Sequence, residues 1–93
     1  MGKIGIGVIG IGRMGRIYAG HVARQMDDAA LVALADVNAT ALADFASKTG
    51  AKPYADYHDL LADPSVDAVI IVTPTSTHRE VVIAAAEAGK AIF

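Results

Sequence analysis

Cysteine is absent from the 93 residues, and with it go disulfides, thiolate chemistry and zinc-thiolate sites. A disulfide-stapled secreted module is thereby excluded, and a reducing, cytoplasmic setting is expected. Charge of one sign is also lacking: 8 Lys and Arg stand against 10 Asp and Glu, for a net charge of -2. No basic field exists to draw nucleic acid or anionic lipid. No apolar run approaches the roughly 20 residues that span a bilayer. The start of the chain, with Lys3 and then Gly alternating with Ile ahead of a glycine loop, has neither the apolar core nor the cleavage site of a signal peptide. Repeats, linkers, low-complexity tracts and charge blocks are missing as well. What is present is 54% hydrophobic content in one small domain, which buries only about 60–65% of the surface its unfolded chain exposes.

The apolar residues alternate between two patterns. Ile4, Ile6, Val8 and Ile9 form a short β-branched run ending at Gly10, the pattern of a strand buried on both faces. Met14, Ile17, Tyr18, His21 and Val22 then recur at helical spacing, so one face of a helix is expected to be apolar, with His21 a satisfied core residue. Residues 31–35 make a second strand ending at Asp36, and Asn38 and Gly50 bracket a helix holding Leu42, Phe45 and Ala46. Residues 52–55 allow a short strand that Pro53 confines to a sheet edge. Asp56 caps a brief helix carrying Leu60 and Leu61, and His58 reads as solvated. Residues 66–72, apolar at both parities, suit the middle of a parallel sheet. Thr77 and Glu80 have capping-box spacing for a helix that Gly89 ends. Ala91, Ile92 and Phe93 begin another strand. The fold class is therefore α/β, a doubly wound parallel sheet of about five strands with right-handed crossovers and flanking helices.

The turn after the first strand reads GIGRMG, in which Gly10, Gly12 and Gly15 satisfy G-x-G-x-x-G between a strand and a helix. This matches the Rossmann fingerprint, with one glycine for the sharp turn, one for backbone approach to a pyrophosphate and one for close packing of helix on sheet. The alternative is a plain tight connection from strand to helix, and the strand-helix context favours the fingerprint. Backbone N–H groups from Ile11 through Met14, with the helix dipole, would supply the anion site. Arg13 either reaches a phosphate or is a solvated surface charge. Asp36 follows at the spacing of about 20 residues that puts a carboxylate on the adenosine ribose hydroxyls. The alternative for Asp36 is a residue that merely flanks the next helix. A 2′-phosphate would be repelled by it, and the neighbouring Val37 and Asn38 bring no cation, so NAD is expected over NADP.

The segments IGVIGIGRMGRIYAGHV, LADVN and YADYHDLLADPSVDAVIIVTPTSTHREVVIAAAEAGKAIF together resemble the Gfo/Idh/MocA family of nicotinamide-dependent oxidoreductases across essentially the whole chain, and within it the inositol dehydrogenases. GIGRMG is shared by many dinucleotide binders; its combination with TPTSTH and GKAIF is more specific. The resemblance implies that Thr73, Pro74 and Thr75 pass under the nicotinamide end of NAD. His78, in the first turn of the following helix, is a packing histidine or a further cofactor contact, and Thr75, Ser76 and Thr77 also suit capping. Neither His21 nor His58 stands in a spacing that would make a metal site. Tyr18, Tyr54 and Tyr57 read as packing residues.

Family members continue beyond GKAIF into a Glu-Lys-Pro motif whose lysine assists proton transfer, and into a C-terminal substrate domain. The resemblance therefore implies that residues 1–93 are a truncated dinucleotide-binding domain without the substrate domain, and none of their side chains is a candidate general acid or base. The parent would transfer hydride between NAD and a polyol or sugar hydroxyl carbon. A non-catalytic NAD-binding module and a minimal folding or assembly unit are the other readings. Because Ile92 and Phe93 would leave an apolar sheet edge, a homodimer is expected.

Overall fold

The computed structural model describes residues 3–25 and 28–93. Its elements, in chain order, are β1 (Ile4–Ile9), α1 (Arg13–Gln25), β2 (Ala29–Ala35), α2 (Ala39–Thr49), β3 (Lys52–Tyr54), α3 (Tyr57–Leu61), β4 (Ala68–Ile71), α4 (Thr75–Glu87) and β5 (Ala91–Ile92). The strands are parallel, in the order β3-β2-β1-β4-β5. The chain leaves β1 toward β2 and β3, then crosses back to β4, so the switch point of this Rossmann sheet lies between β1 and β4. Pro53 does sit in an edge strand, where its missing N–H costs nothing. β4 is one strand off centre, and β1 occupies the middle.

Alternating side chains of the inner strands feed two cores. On one face Ile9, Ala33, Ala35, Val69 and Ile71 pack with Leu60 and Leu61 of α3 and Val81 and Ala85 of α4. On the other, Val8 and Leu34 pack with Ile11, with Ala19 of α1 and with Leu42 and Ala46 of α2. Burial on both faces explains why these strands read as unbroken apolar runs.

Caps set most of the helix ends. Asn38 accepts from the Ala41 N–H, and Gly50 closes α2 in the left-handed region at φ 76. Asp56 accepts from the His58 N–H at the start of α3. The expected capping box of α4 does not form. The helix starts at Thr75 behind Pro74, whose φ of -56 presets the helical entry, and there is no side-chain cap. Thr77 is already inside the first turn, its Oγ1 donating to the Pro74 carbonyl.

The apolar stripe expected on α1 is also displaced. Met14, Ile17 and Tyr18 are more than two-fifths exposed and His21 is exposed, whereas Gly15, Ala19, Gly20 and Val22 are buried. Small residues let α1 sit close on the sheet, and that rotates its bulky side chains outward. Among the described residues no helix is long and apolar enough to cross a membrane.

Candidate functional site

At the carboxyl ends of the strands, β1 runs into Gly10, whose N–H donates to the Ala35 carbonyl at 2.8 Å before the chain turns with φ +93. A side chain there would lie 2.6 Å from the Val72 carbonyl oxygen as well as being strained, so both packing and conformation require glycine. Gly15 is required by packing: a Cβ would collide with the Gly10 carbonyl oxygen, which is how closely α1 returns over the end of β1. Gly12 differs, because a Cβ built on it meets nothing within 4 Å. The protein itself gives no reason for glycine at position 12.

Asp36, half-buried at the end of β2, reaches across to this turn. Its Oδ2 accepts from the Ile11 N–H at 2.7 Å and its Oδ1 from the Asn38 N–H at 2.8 Å. A carboxylate has about four acceptor positions, so both oxygens are fixed in direction and each keeps capacity for another donor. The loop is held from a second side by Arg16, whose Nε donates to the Ile11 carbonyl at 3.1 Å. With its side chain buried and both backbone groups engaged, Ile11 is a fixed post. It therefore positions the loop instead of offering a free N–H to an anion, which corrects the sequence expectation. Gly12, Arg13 and Met14 lie at the first turn of α1, where the helix supplies no acceptors for its leading N–H groups and carries its positive end. Arg13 and Met14 are exposed there.

A cavity of about 370 Å³ opens beside Asp36. Ile9, Gly10 and Ala35 line it from the strand ends, Val37 from beyond β2, and Tyr57 and Val81 from α3 and α4. Most of that wall is apolar, and Val37 is 94% exposed, an uncommon position for a bare aliphatic side chain at a cleft edge. Glu80 and Thr77 add polar groups from α4. Burial, reinforced by the negative charge of Glu80, pushes the Tyr57 hydroxyl above its ordinary pKa. Thr73, at the end of β4, lines this cavity and an adjoining hollow shared with Thr75, His78 and Arg79. Its Oγ1 is buried without a hydrogen-bond partner among the described residues. A buried hydroxyl left unpaired costs about 1–3 kcal/mol, a cost removed by a ligand that bonds to it.

Of the expected residues, Gly10, Asp36, Val37, Thr73 and Pro74 line one cavity, and Thr75 and His78 line the hollow that adjoins it at Thr73. Ile11 is bonded to Asp36, with Gly12, Arg13, Met14 and Gly15 following it in the turn and first helical turn. Arg16, Tyr57 and Glu80 were not legible as part of it. Arg16 is one residue past the fingerprint, Tyr57 reads as packing, and Glu80 reads as a cap. Among the described residues no cluster of three or more His, Cys, Asp or Glu could hold a metal ion.

The donors and acceptors of this crevice fit a dinucleotide: a helix terminus and bare Gly12 for a pyrophosphate, a fixed carboxylate for a ribose diol, an apolar cavity for a base and an unpaired hydroxyl on β4. Comparison with known proteins agrees. The family model of the Gfo/Idh/MocA oxidoreductase family, NAD-binding Rossmann fold, matches residues 4–93. A myo-inositol 2-dehydrogenase of Thermotoga maritima is 47% identical over 89 residues, 95% of this chain and 26% of the relative. A scyllo-inositol 2-dehydrogenase (NAD(+)) of Bacillus subtilis is 41% identical over 87 residues, covering 92% and 25%. The crystal structure of scyllo-inositol dehydrogenase from Lactobacillus casei with bound NAD(H) and scyllo-inositol superposes with a TM-score of 0.91 at 33% identity, over 98% of this chain and 27% of that one. The chain spans about a quarter of the length of the curated relatives it matches.

Proposed function

The chain belongs to the Gfo/Idh/MocA oxidoreductase family through its NAD-binding Rossmann domain, and from that premise we propose that it binds NAD in the crevice between β1 and β4. The observation that carries this reading is the hydrogen bond from the Ile11 N–H to Asp36. It makes the phosphate loop and the ribose acceptor one rigid unit, so the spacing between the two recognition elements is set before a ligand arrives. The N–H groups of Gly12, Arg13 and Met14 would hold the pyrophosphate, with the Arg13 guanidinium beside it, while Gly10 and Gly15 shape the turn. Asp36 would accept from the ribose diol. Val37 and the cavity wall would cover the base. Thr73, Pro74, Thr75 and His78 would line the path to the nicotinamide, where the Thr73 hydroxyl gains its missing partner. NAD is favoured over NADP because a 2′-phosphate would face the Asp36 carboxylate with no cation on Val37 or Asn38 to offset it.

Bound there, NAD supplies hydride transfer, and in the complete enzyme we propose a polyol or sugar hydroxyl carbon as the other partner, by similarity to the inositol dehydrogenases. A homodimer is our proposal for the assembly. Ile92 and Phe93 are exposed on the β5 flank, together with Met14 and Tyr18, and sedimentation over a wide concentration range tests it.

Calorimetric titration with NAD tests the binding reading. Wild type is expected to bind one equivalent, and Gly12→Ala, which meets no protein atom, to bind at least about tenfold more weakly because its methyl group intrudes on the pyrophosphate. Equal affinities would reduce the loop to a turn and end the proposal.

A further inference from the structure

Glu80 is a residue whose sequence role disappears in the fold. With α4 starting at Thr75 behind Pro74 and Thr77 bonded to the Pro74 carbonyl, there is no cap at Thr77 for Glu80 to complete. The residue is exposed and lines the same cavity as Tyr57, Thr77 and Val81. The cavity therefore has Asp36 on its β2 side, Glu80 on its α4 side, and mainly aliphatic and aromatic wall around them.

We infer that Glu80 is a specificity residue that reads the exocyclic amino group of the base, selecting a 6-aminopurine over a 6-oxopurine. The inference rests on the reading of the crevice as an adenosine site. An ionised carboxylate only accepts hydrogen bonds. Adenine presents two N–H donors at its 6-position, and the bond they form to a carboxylate is charge-assisted. Hypoxanthine presents a carbonyl oxygen there, which sets two acceptors against each other, so the direct bond to Glu80 is lost and the two oxygens repel. The apolar wall cannot tell the two bases apart, since their rings have nearly the same shape. Discrimination then falls to a polar group, and a site built to bond one donor rejects the analogue that lacks it.

The test compares NAD with nicotinamide hypoxanthine dinucleotide by calorimetry, on wild type and Glu80→Gln. Wild type is expected to bind NAD at least about tenfold more tightly than the hypoxanthine analogue. Glutamine can accept from an amine through its oxygen or donate to a carbonyl through its nitrogen, so Glu80→Gln should shrink that ratio to about threefold or less. A wild type that does not discriminate, or a ratio unchanged in Glu80→Gln, overturns the inference while leaving NAD binding intact. Failure of wild type to bind either dinucleotide overturns the NAD reading itself, and this inference with it.

Discussion

Asp36 at the carboxyl end of the sheet and Asp63 in the turn at its amino end are both half-buried carboxylates that accept hydrogen bonds at 2.7–2.9 Å. Their surroundings differ. Asp63 takes the Ser65 N–H and hydroxyl on one oxygen and the Tyr54 hydroxyl on the other. These bonds hold it ionised, with a pKa lowered to about 2. The same turn receives the Lys90 ammonium on the Asp63 and Val66 carbonyls, and nearby Asp67 accepts from the Gly5 N–H. At this end the chain meets its own polar groups, tying α3, β4, β5 and the start of β1 together. At the other end each Asp36 oxygen takes one N–H, the Thr73 hydroxyl is unpaired among the described residues, and Gly12 faces open space. The amino end is built to hold the fold, and the carboxyl end is shaped toward something outside the chain.

The largest effects should separate the two uses of glycine within one fingerprint. Gly15→Ala forces a methyl group into the Gly10 carbonyl and should cost about 3 kcal/mol or more in urea unfolding. Gly12→Ala should leave the unfolding free energy within about 0.5 kcal/mol of wild type. A Gly12→Ala protein as unstable as Gly15→Ala would break the distinction between a glycine the fold needs and one the ligand needs.

Next in size, Asp36→Ala should weaken NAD binding about tenfold to a hundredfold, the range for lost hydrogen bonds to a charged group. It should also narrow the preference for NAD over NADP, because the repulsion of a 2′-phosphate goes with the carboxylate. Wild type that prefers NADP would contradict the role given to Asp36.

The smallest effects belong to the amino end. Asp63→Ala should cost about 1–2 kcal/mol of stability from its lost bonds, with NAD affinity unchanged. The same carboxylate gives a signature in acid. Its folded-state pKa of about 2 lies below the ordinary 3.8, so its contribution is fully present above pH 3.8 and is lost as pH falls toward 2. Thermal melts of wild type should therefore steepen their decline in that window more than melts of Asp63→Ala. Parallel declines would remove Asp63 from the clamp.

Much of this was legible before the structure. The parallel sheet follows from alternating buried runs and helices, the edge place of β3 from Pro53, and the place of Asp36 beside the turn from its distance past Gly15. What was not legible depends on how closely elements approach. The stripe of Met14, Ile17 and Tyr18 has helical spacing, yet Gly15 and Ala19 allow a closer approach and take the buried face. The pair Thr77 and Glu80 has capping-box spacing, yet Pro74 starts the helix early and leaves Glu80 on the cavity wall. Ile11 lies in a loop of donors, yet its N–H belongs to Asp36 and its carbonyl to Arg16. None of these is visible in a residue's own identity, because each is set by a partner many positions away or by the start of its helix.

The central claim, a ligand end and a structural end on one sheet, is tested most directly by following backbone amide shifts during an NAD titration. Saturable shifts are expected at residues 10–15, 36–37 and 73–78, with residues 62–67 and Lys90 unmoved. No saturable shifts, or shifts concentrated around Asp63 and Lys90, would contradict it.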